Sequence, residues 1–249
     1  MLTIIIPVLN EEKLISNGLS KIKNILKNIP ELSENIEVVI SDAGSNDQTI
    51  EIAQKICQQL QFTFVTNEIN FPSIGKTIVQ GLEYARYDTV FILPIDCQIN
   101  KKHIEMICQC LHKKGFYYGL FSKKYENNIL TMKIYAFMQN FFRSKLLTQF
   151  VWTNGLFIQK SVLDDVNIPT DLFMEDVILS DSLRKKYQGL YLDHPITVGS
   201  RLYDKNGPIK RILINGIVMI FYRLGIKNKL FLKKIYRLQF TTAMQSDPP

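Results

Sequence analysis

The sequence predicts an α/β protein built on a doubly wound, mostly parallel sheet flanked by helices. Three observations carry that expectation. Short apolar runs alternate with segments of helical periodicity through the first hundred residues. The runs are continuously apolar or β-branched, as befits strands covered on both faces of a parallel sheet. A β-α-β order of this kind obliges right-handed crossovers, which put helices on both sides.

The strand candidates are Leu2–Val8, Ile36–Ser41, Phe62–Thr66 and Thr89–Ile95. Between the first two, Asn10–Asn28 carries Leu14, Ile15, Leu19, Ile22, Ile25, Leu26 and Ile29 at helical spacing, with Asn10 as its expected N-cap. Asp47–Leu60 follows the second strand, opened by Ser45-Asn46-Asp47-Gln48, the spacing of a capping box. Ile74–Ala85 supplies a third helix. Beyond Asn100 the expected order is helix Lys101–Lys114, strand Phe116–Tyr125, apolar helix Leu130–Phe142, strand Trp152–Gln159, helix Glu175–Lys186 and strand Leu190–Ser200. Helices Ile209–Gly225 and Leu230–Phe240 make a basic C-terminal segment, and Thr241–Pro249 reads as a frayed tail. No repeat, low-complexity tract or Pro/Gly/Ser-rich linker divides the chain, so 1–240 is expected to form one domain.

Composition narrows the class. A chain of 249 residues that is 46% hydrophobic can bury a core, which excludes disorder. No apolar run reaches the roughly 18 residues of a spanning helix. Met1–Pro7 lacks a basic region and a cleavage site, so it reads as a strand and the expected location is cytoplasmic. The uneven spacing of Cys57, Cys97, Cys108 and Cys110 fits reduced thiols, and Cys108 and Cys110 point apart on a helix, against a zinc site with His103 and His112. The net charge of +7 is local: residues 201–240 hold ten basic residues and one acid, against 20 and 21 in residues 1–200. That argues for a local anionic partner, such as an anionic membrane surface lying under a basic amphipathic element, and against a general nucleic-acid binder. A core-packing helix with a solvated basic face accounts for it equally.

Ligands of a doubly wound sheet bind outside the carboxyl ends of its strands. The polar residues there are Asn10-Glu11-Glu12, Asp42-Ala43-Gly44-Ser45 and Asp96-Cys97-Gln98, so three strands deliver carboxylates to one rim. No Gly-x-Gly-x-x-Gly follows the first strand and no Walker sequence is present, which disfavours a dinucleotide dehydrogenase or a P-loop enzyme.

Two segments, Pro7-Val8-Leu9-Asn10-Glu11-Glu12 and Val39-Ile40-Ser41-Asp42-Ala43-Gly44-Ser45-Asn46-Asp47-Gln48-Thr49, resemble the opening of family-2 glycosyltransferases of the GT-A fold. The resemblance continues through Gly75-Lys76 and Gly81, through Phe91-Ile92-Leu93-Pro94-Ile95-Asp96 at the family's Asp-x-Asp metal motif, and through Asn154-Gly155-Leu156-Phe157-Ile158. Phe173-Met174-Glu175-Asp176-Val177 looks like its Glu-Asp helix. Gly199-Ser200-Arg201-Leu202-Tyr203 and Tyr222-Arg223-Leu224-Gly225 look like the radical-SAM/selenodomain-associated transferase 2 subgroup, with Leu202 and Tyr203 in place of an arginine and a tryptophan. The match covers about 1–236.

That resemblance implies a GT-A-like fold with a nucleotide-binding half in 1–100 and an acceptor half in 101–200. It implies an inverting glycosyltransferase that moves a sugar from a nucleotide-sugar, expected to be UDP-linked, to an unidentified hydroxyl. Pro7, Asn10, Glu11, Asp42, Lys76, Asp96 and Arg201 are the expected nucleotide-binding residues. Asp96 is the expected ligand of Mg²⁺ or Mn²⁺, a cation that would bridge carboxylate and diphosphate. Pro94 occupies the position of the motif's first acid and has nothing to coordinate with. Asp176 is the expected catalytic base, with Glu175 supporting it. Simpler readings stand beside these: Asp42 opens a turn, Ser45 caps a helix, Glu11 and the Glu175-Asp176 pair favour helix dipoles, and Asp96 caps the helix near Asn100. A catalytically silent nucleotide-sugar binding module and a nucleotidyltransferase are the rival functions.

Overall fold

The computed structural model describes residues 1–66, 73–111, 115, 117–170, 174–201, 203, 207–226 and 229–237. At its centre lies one eight-stranded mixed sheet in the order β3-β2-β1-β4-β7-β6-β8-β5. The strands are β1 (Leu2–Val8), β2 (Ile36–Asp42), β3 (Thr63–Thr66), β4 (Thr89–Ile92), β5 (Cys97–Gln98), β6 (Tyr118–Tyr125), β7 (Phe157–Gln159) and β8 (Gly189–Val198). β1 to β4 are mutually parallel, as the apolar runs require. β7 then enters antiparallel to both β4 and β6, and β6 pairs parallel with β8.

Helices cover the sheet: α1 (Ile15–Lys27), α2 (Pro30–Ser33), α3 (Thr49–Leu60), α4 (Ile74–Glu83), α5 (Lys101–Leu111), α6 (Leu130–Met138), α7 (Glu175–Lys186), α8 (Pro208–Arg223) and α9 (Lys229–Arg237). Two buried clusters hold the layers together, one around Ile4, Ile6, Leu19 and Phe121, the other around Ile5, Ile78, Tyr118 and Phe150. Ile4 and Ile5 fall in different clusters because successive side chains on β1 point to opposite faces. Register sets the rim. β1 and β2 end together at Val8 and Asp42, so their following turns rise side by side.

Several boundaries differ from expectation for identifiable reasons. Asn10 is no N-cap: its φ is +53°, outside the extended region a cap adopts, and α1 begins at Ile15 after a turn closed by Glu11. The Ser45–Gln48 capping box does not form. Thr49 N–H donates to Asp47 Oδ1 at 2.9 Å, while Ser45 faces the first loop. Trp152–Asn154 is a 3₁₀ turn, not the start of a strand. Asn154 Oδ1 accepts from Val151 N–H at 3.0 Å, and Gly155 at φ +64° redirects the chain into β7. The apolar helix after Leu130 widens into a π-helix over Gln139–Lys145. Residues 112–114 and 116, the end of the last expected helix at 238–240, and the tail all lie outside the described residues.

Candidate functional site

The turns after β1 and β2 are stitched together by side chains. Asn10 N–H donates to Ser45 Oγ at 2.8 Å, and Asn46 N–H donates back to Asn10 Oδ1 at 2.9 Å. Glu11 N–H donates to Thr49 Oγ1 at 2.7 Å, and Glu12 exchanges bonds with Asp47 and Gln48. Asp42 lies beneath this seam with no exposure. Its Oδ1 accepts from Gly44 N–H and Ser45 N–H at 2.8 Å each and from Thr66 Oγ1 at 3.0 Å, and its Oδ2 accepts from Ser45 Oγ at 2.5 Å. Three of these bonds fall on Oδ1 and one on Oδ2. Asp42 thus braces the turn from below. Pro7 is half-buried near the end of β1, opposite Ser41 and beyond the last β1–β4 pair, Ile5 with Ile92.

Glu11, Asp96 and Arg201 converge although 190 residues separate the outer two. Arg201 Nη2 lies 2.7 Å from Glu11 Oε1. Glu11 Oε2 is buried with no hydrogen-bond partner. Asp96 sits after β4, where burial chiefly, and then the Glu11 carboxylate, push its pKa up, opposed by Arg201. Gly199 closes over it: the Gly199 N–H donates to Asp96 O at 3.1 Å, and a Cβ at Gly199 would stand 3.5 Å from Asp96 Oδ2. The helix near Asn100 takes its cap from Asn100 itself, whose Oδ1 accepts from Lys102 N–H at 3.1 Å, so Asp96 is not the cap.

Asp176 opens α7 behind a left-handed Met174 (φ +66°), and its Oδ1 accepts from Val177 N–H at 2.8 Å. Burial raises its pKa; Arg143 foremost, the Val177 N–H bond and Lys123 hold it down. These two cations escaped sequence reasoning. Lys123 looks like an ordinary strand lysine, but it shares a face of β6 with the buried Phe121 and Tyr125 and is itself 3% exposed. Asn140, on the π-helix, grips its backbone on both sides, accepting from Lys123 N–H at 3.0 Å and donating to Lys123 O at 2.8 Å. Burial, with Arg143 nearby, brings the Lys123 pKa down to about 7. Cys97 adjoins both Asp96 and Lys123, and its own pKa is pushed up by burial and by Asp96. The alternation of β6 and the π-helix carrying Asn140 and Arg143 together make this cluster.

Glu175 has a different task from its neighbour. It is buried; its Oε1 accepts from Ser73 Oγ at 2.5 Å and its Oε2 from Gly75 N–H at 2.7 Å. It thereby anchors α7 to the first turn of α4, where Lys76 stands half-buried. Gly75 is needed there because a Cβ would lie 1.9 Å from Pro169 O. Of the residues predicted from sequence, the structure gathers Glu11, Asp96 and Arg201 at one rim and places Asp176 beyond Lys123; Asp42, Asn10 and Glu175 hold loops and helices in position. The C-terminal segment departs from its expected basic face. Arg211 is buried against the Tyr203 ring and Arg223 pairs with Asp181 at 2.9 Å, and α8 exposes Ile209, Leu213, Ile217 and Ile220 beside Lys210 and Arg223. Among the described residues no helix is long and apolar enough to cross a membrane.

A parallel half bearing an acidic rim, joined to a mixed half that supplies further carboxylates, matches the GT-A class of α/β protein. The chain belongs to glycosyl transferase family 2, whose model matches residues 3–166. It is 30% identical over 124 residues to a 4,4'-diaponeurosporenoate glycosyltransferase of Staphylococcus haemolyticus (strain JCSC1435), in a match spanning 49% of this chain and 31% of that protein. Its fold is similar to that of a mannosyltransferase of Pyrobaculum calidifontis solved with GDP-Man and Mn²⁺ (TM-score 0.70, 15% identity, 100% of this chain and 76% of that one). It is similar also to TarS of S. aureus with UDP-GlcNAc (0.63, 17%, 99% and 81%). Glucosyl-3-phosphoglycerate synthase of Mycobacterium tuberculosis, with Mn²⁺, UDP and phosphoglyceric acid, follows (0.62, 16%, 90% and 78%).

Proposed function

We propose that this protein transfers a sugar from a nucleotide-sugar, UDP-linked in the first instance, to a hydroxyl acceptor, inverting the anomeric centre in one displacement. The observation that carries the reading is a continuous run of charged and polar neighbours from Arg201 and Glu11 through Asp96 and the neutral thiol of Cys97 to Lys123, Asp176 and Arg143. The run has the two ends this reaction needs, one for a diphosphate leaving group and one for a base. Asp176 accepts the proton of the attacking hydroxyl. Burial raises its proton affinity, opposed by Arg143 foremost and by Lys123. Arg201 meets the diphosphate, where a guanidinium binds two phosphate oxygens at once, and Lys76 in the first turn of α4 is a second cation for it. The nucleoside rests on the turn that Asp42, Ser45 and Asn10 brace.

Mg²⁺ or Mn²⁺ fits the remaining carboxylates. Glu11 Oε2 lacks a partner and Asp96 is raised by its acidic neighbour, so a dication would relieve both. Among the described residues no cluster of three or more His, Cys, Asp or Glu is present, so Asp96 and Glu11 would hold the ion with water and diphosphate oxygens. When bound, it would neutralise charge on the departing nucleoside diphosphate.

Asp176→Asn tests the reading. Turnover, followed as UDP release, falls by roughly 10²–10⁴-fold, with UDP affinity by calorimetry unchanged; retained turnover removes Asp176 from the mechanism. Pro94 favours one other reading, a binding module without catalysis. UDP binding with neither donor hydrolysis nor transfer, across metals and acceptors, would select it.

A further inference from the structure

We infer that the groove between α6 with its π-helical extension and α8 holds the hydrocarbon chain of an amphiphilic acceptor, whose oxygen-bearing head reaches Arg143. The inference rests on the transfer reading above and names the acceptor's chemical class. The groove encloses about 540 Å³, within the ~300–1,000 Å³ range of small-molecule sites. Ile134, Met138 and Phe142 form one wall and Ile209 and Leu213 the other. All five are between 47% and 61% exposed, an unusual density of open aliphatic and aromatic surface on two adjacent helices. A single polar contact on an apolar wall would be unremarkable, but Arg143 also lines this groove, with its Nη2 buried and without a partner. The other side of that guanidinium is fixed, its Nε donating to Gln149 Oε1 at 3.1 Å. Arg143 is the foremost cation acting on Asp176. Apolar walls and an unsatisfied cation beside a base complement a molecule with a long apolar body and an oxygen at its end.

Gly216 supplies the test. It lies in the groove, and a Cβ built there meets no heavy atom within 4 Å. Gly216→Phe therefore fills the space from a position where glycine gives the helix no advantage. The probe is cis-parinaric acid, a fluorescent fatty acid used below its micellar concentration, with UDP calorimetry and UDP release run on the same preparations. Wild type is expected to bind the probe saturably, and Gly216→Phe to weaken binding at least tenfold while leaving UDP affinity unchanged. Arg143→Met is expected to weaken probe binding severalfold. Absence of probe binding to wild type overturns the inference, whatever the UDP results. So does capture by phosphatidylglycerol vesicles alone, which would make the face a membrane contact. A wild-type dimer by light scattering that Gly216→Phe disperses would assign the groove to a second copy, and also overturns it. Probe binding without any sugar transfer upholds the groove and sinks only the transfer reading.

Discussion

Two adjacent carboxylates, Glu175 and Asp176, are expected to fail in opposite ways when altered. Glu175 is buried and receives two charge-assisted bonds, from Ser73 Oγ and Gly75 N–H. Bonds of this kind contribute ~1.5–3 kcal/mol each, so Glu175→Ala, which strips both and leaves two buried donors, costs about 3–5 kcal/mol. Glu175→Gln keeps an acceptor for Gly75 but loses the charge, which roughly halves the bonds and costs about 1–2 kcal/mol. Asp176 is the reverse case. Its folded pKa is raised by burial, so the fold disfavours its ionised form, and Asp176→Asn removes that penalty. The urea midpoint of Asp176→Asn should equal or exceed that of wild type while its turnover collapses. Trp152, the chain's one tryptophan, is buried and serves as the unfolding probe. UDP release measures the chemistry. If Glu175→Gln loses turnover by roughly 10²-fold or more at an unaltered urea midpoint, Glu175 is part of the chemistry and the assignment of it as a strut is wrong.

Three further outcomes follow from the same geometry. Burial foremost, then His194, brings the His103 pKa down to about 4 against an ordinary 6.5. Stability is therefore lost as pH falls through the interval between those values, by roughly 2 kcal/mol at about pH 5. His103→Gln should flatten the urea midpoint between about pH 7 and 5, and a slope as steep as wild type refutes the origin. Lys123→Met removes one of the cations that lower the Asp176 pKa, so the acid limb of kcat/KM should move to higher pH and turnover should fall; an unmoved limb separates the two residues. Removal of divalent ions with EDTA should lower turnover, with Mn²⁺ or Mg²⁺ restoring it in wild type but not in Asp96→Ala. Full activity in EDTA would leave the diphosphate to Arg201 and Lys76.

The parallel half was legible because each of its strands is a local apolar run and each helix keeps its own period; Leu2–Val8 and Glu175–Lys186 fall where the sequence puts them. The rim residues followed from chain order, since strand ends in a doubly wound sheet share an edge. What sequence could not show depends on distant partners. Asn10 reads as a cap until Ser45 and Asn46, 35 and 36 residues away, occupy its backbone and side chain. Asp42 is bonded by the donors of its own loop and by Thr66, 24 residues away, which its position at a strand end does not foretell. Lys123 reads as an ordinary strand lysine until the π-helix lies against it, with Asn140 bonded to its backbone on both sides. In each case local pattern and residue type leave the surroundings open, and a non-local contact decides them.

The Arg201–Glu11 pair states the electrostatic problem that donor binding must solve. Without a ligand, the guanidinium satisfies one oxygen of Glu11, leaving the other buried and Asp96 penalised by two neighbouring causes, its own burial and the Glu11 charge. A diphosphate brings more negative charge to the same place. It can be accommodated only if Arg201 turns from Glu11 to the phosphates, or if a dication enters between phosphate and carboxylates. The first route strands the Glu11 carboxylate, whose side chain is 15% exposed. The second leaves the pair intact and supplies the orphaned oxygen with a partner. Arg201 is 54% exposed at its side chain while Glu11 is 15% exposed, so the arginine can swing at little loss but the glutamate cannot follow it. Cation entry is thus the route that keeps every buried oxygen satisfied. It follows that Arg201→Lys, which retains the charge but not the fork, should weaken UDP binding less in Mn²⁺ than in EDTA; equal weakening in both would mean that Arg201 itself carries the diphosphate.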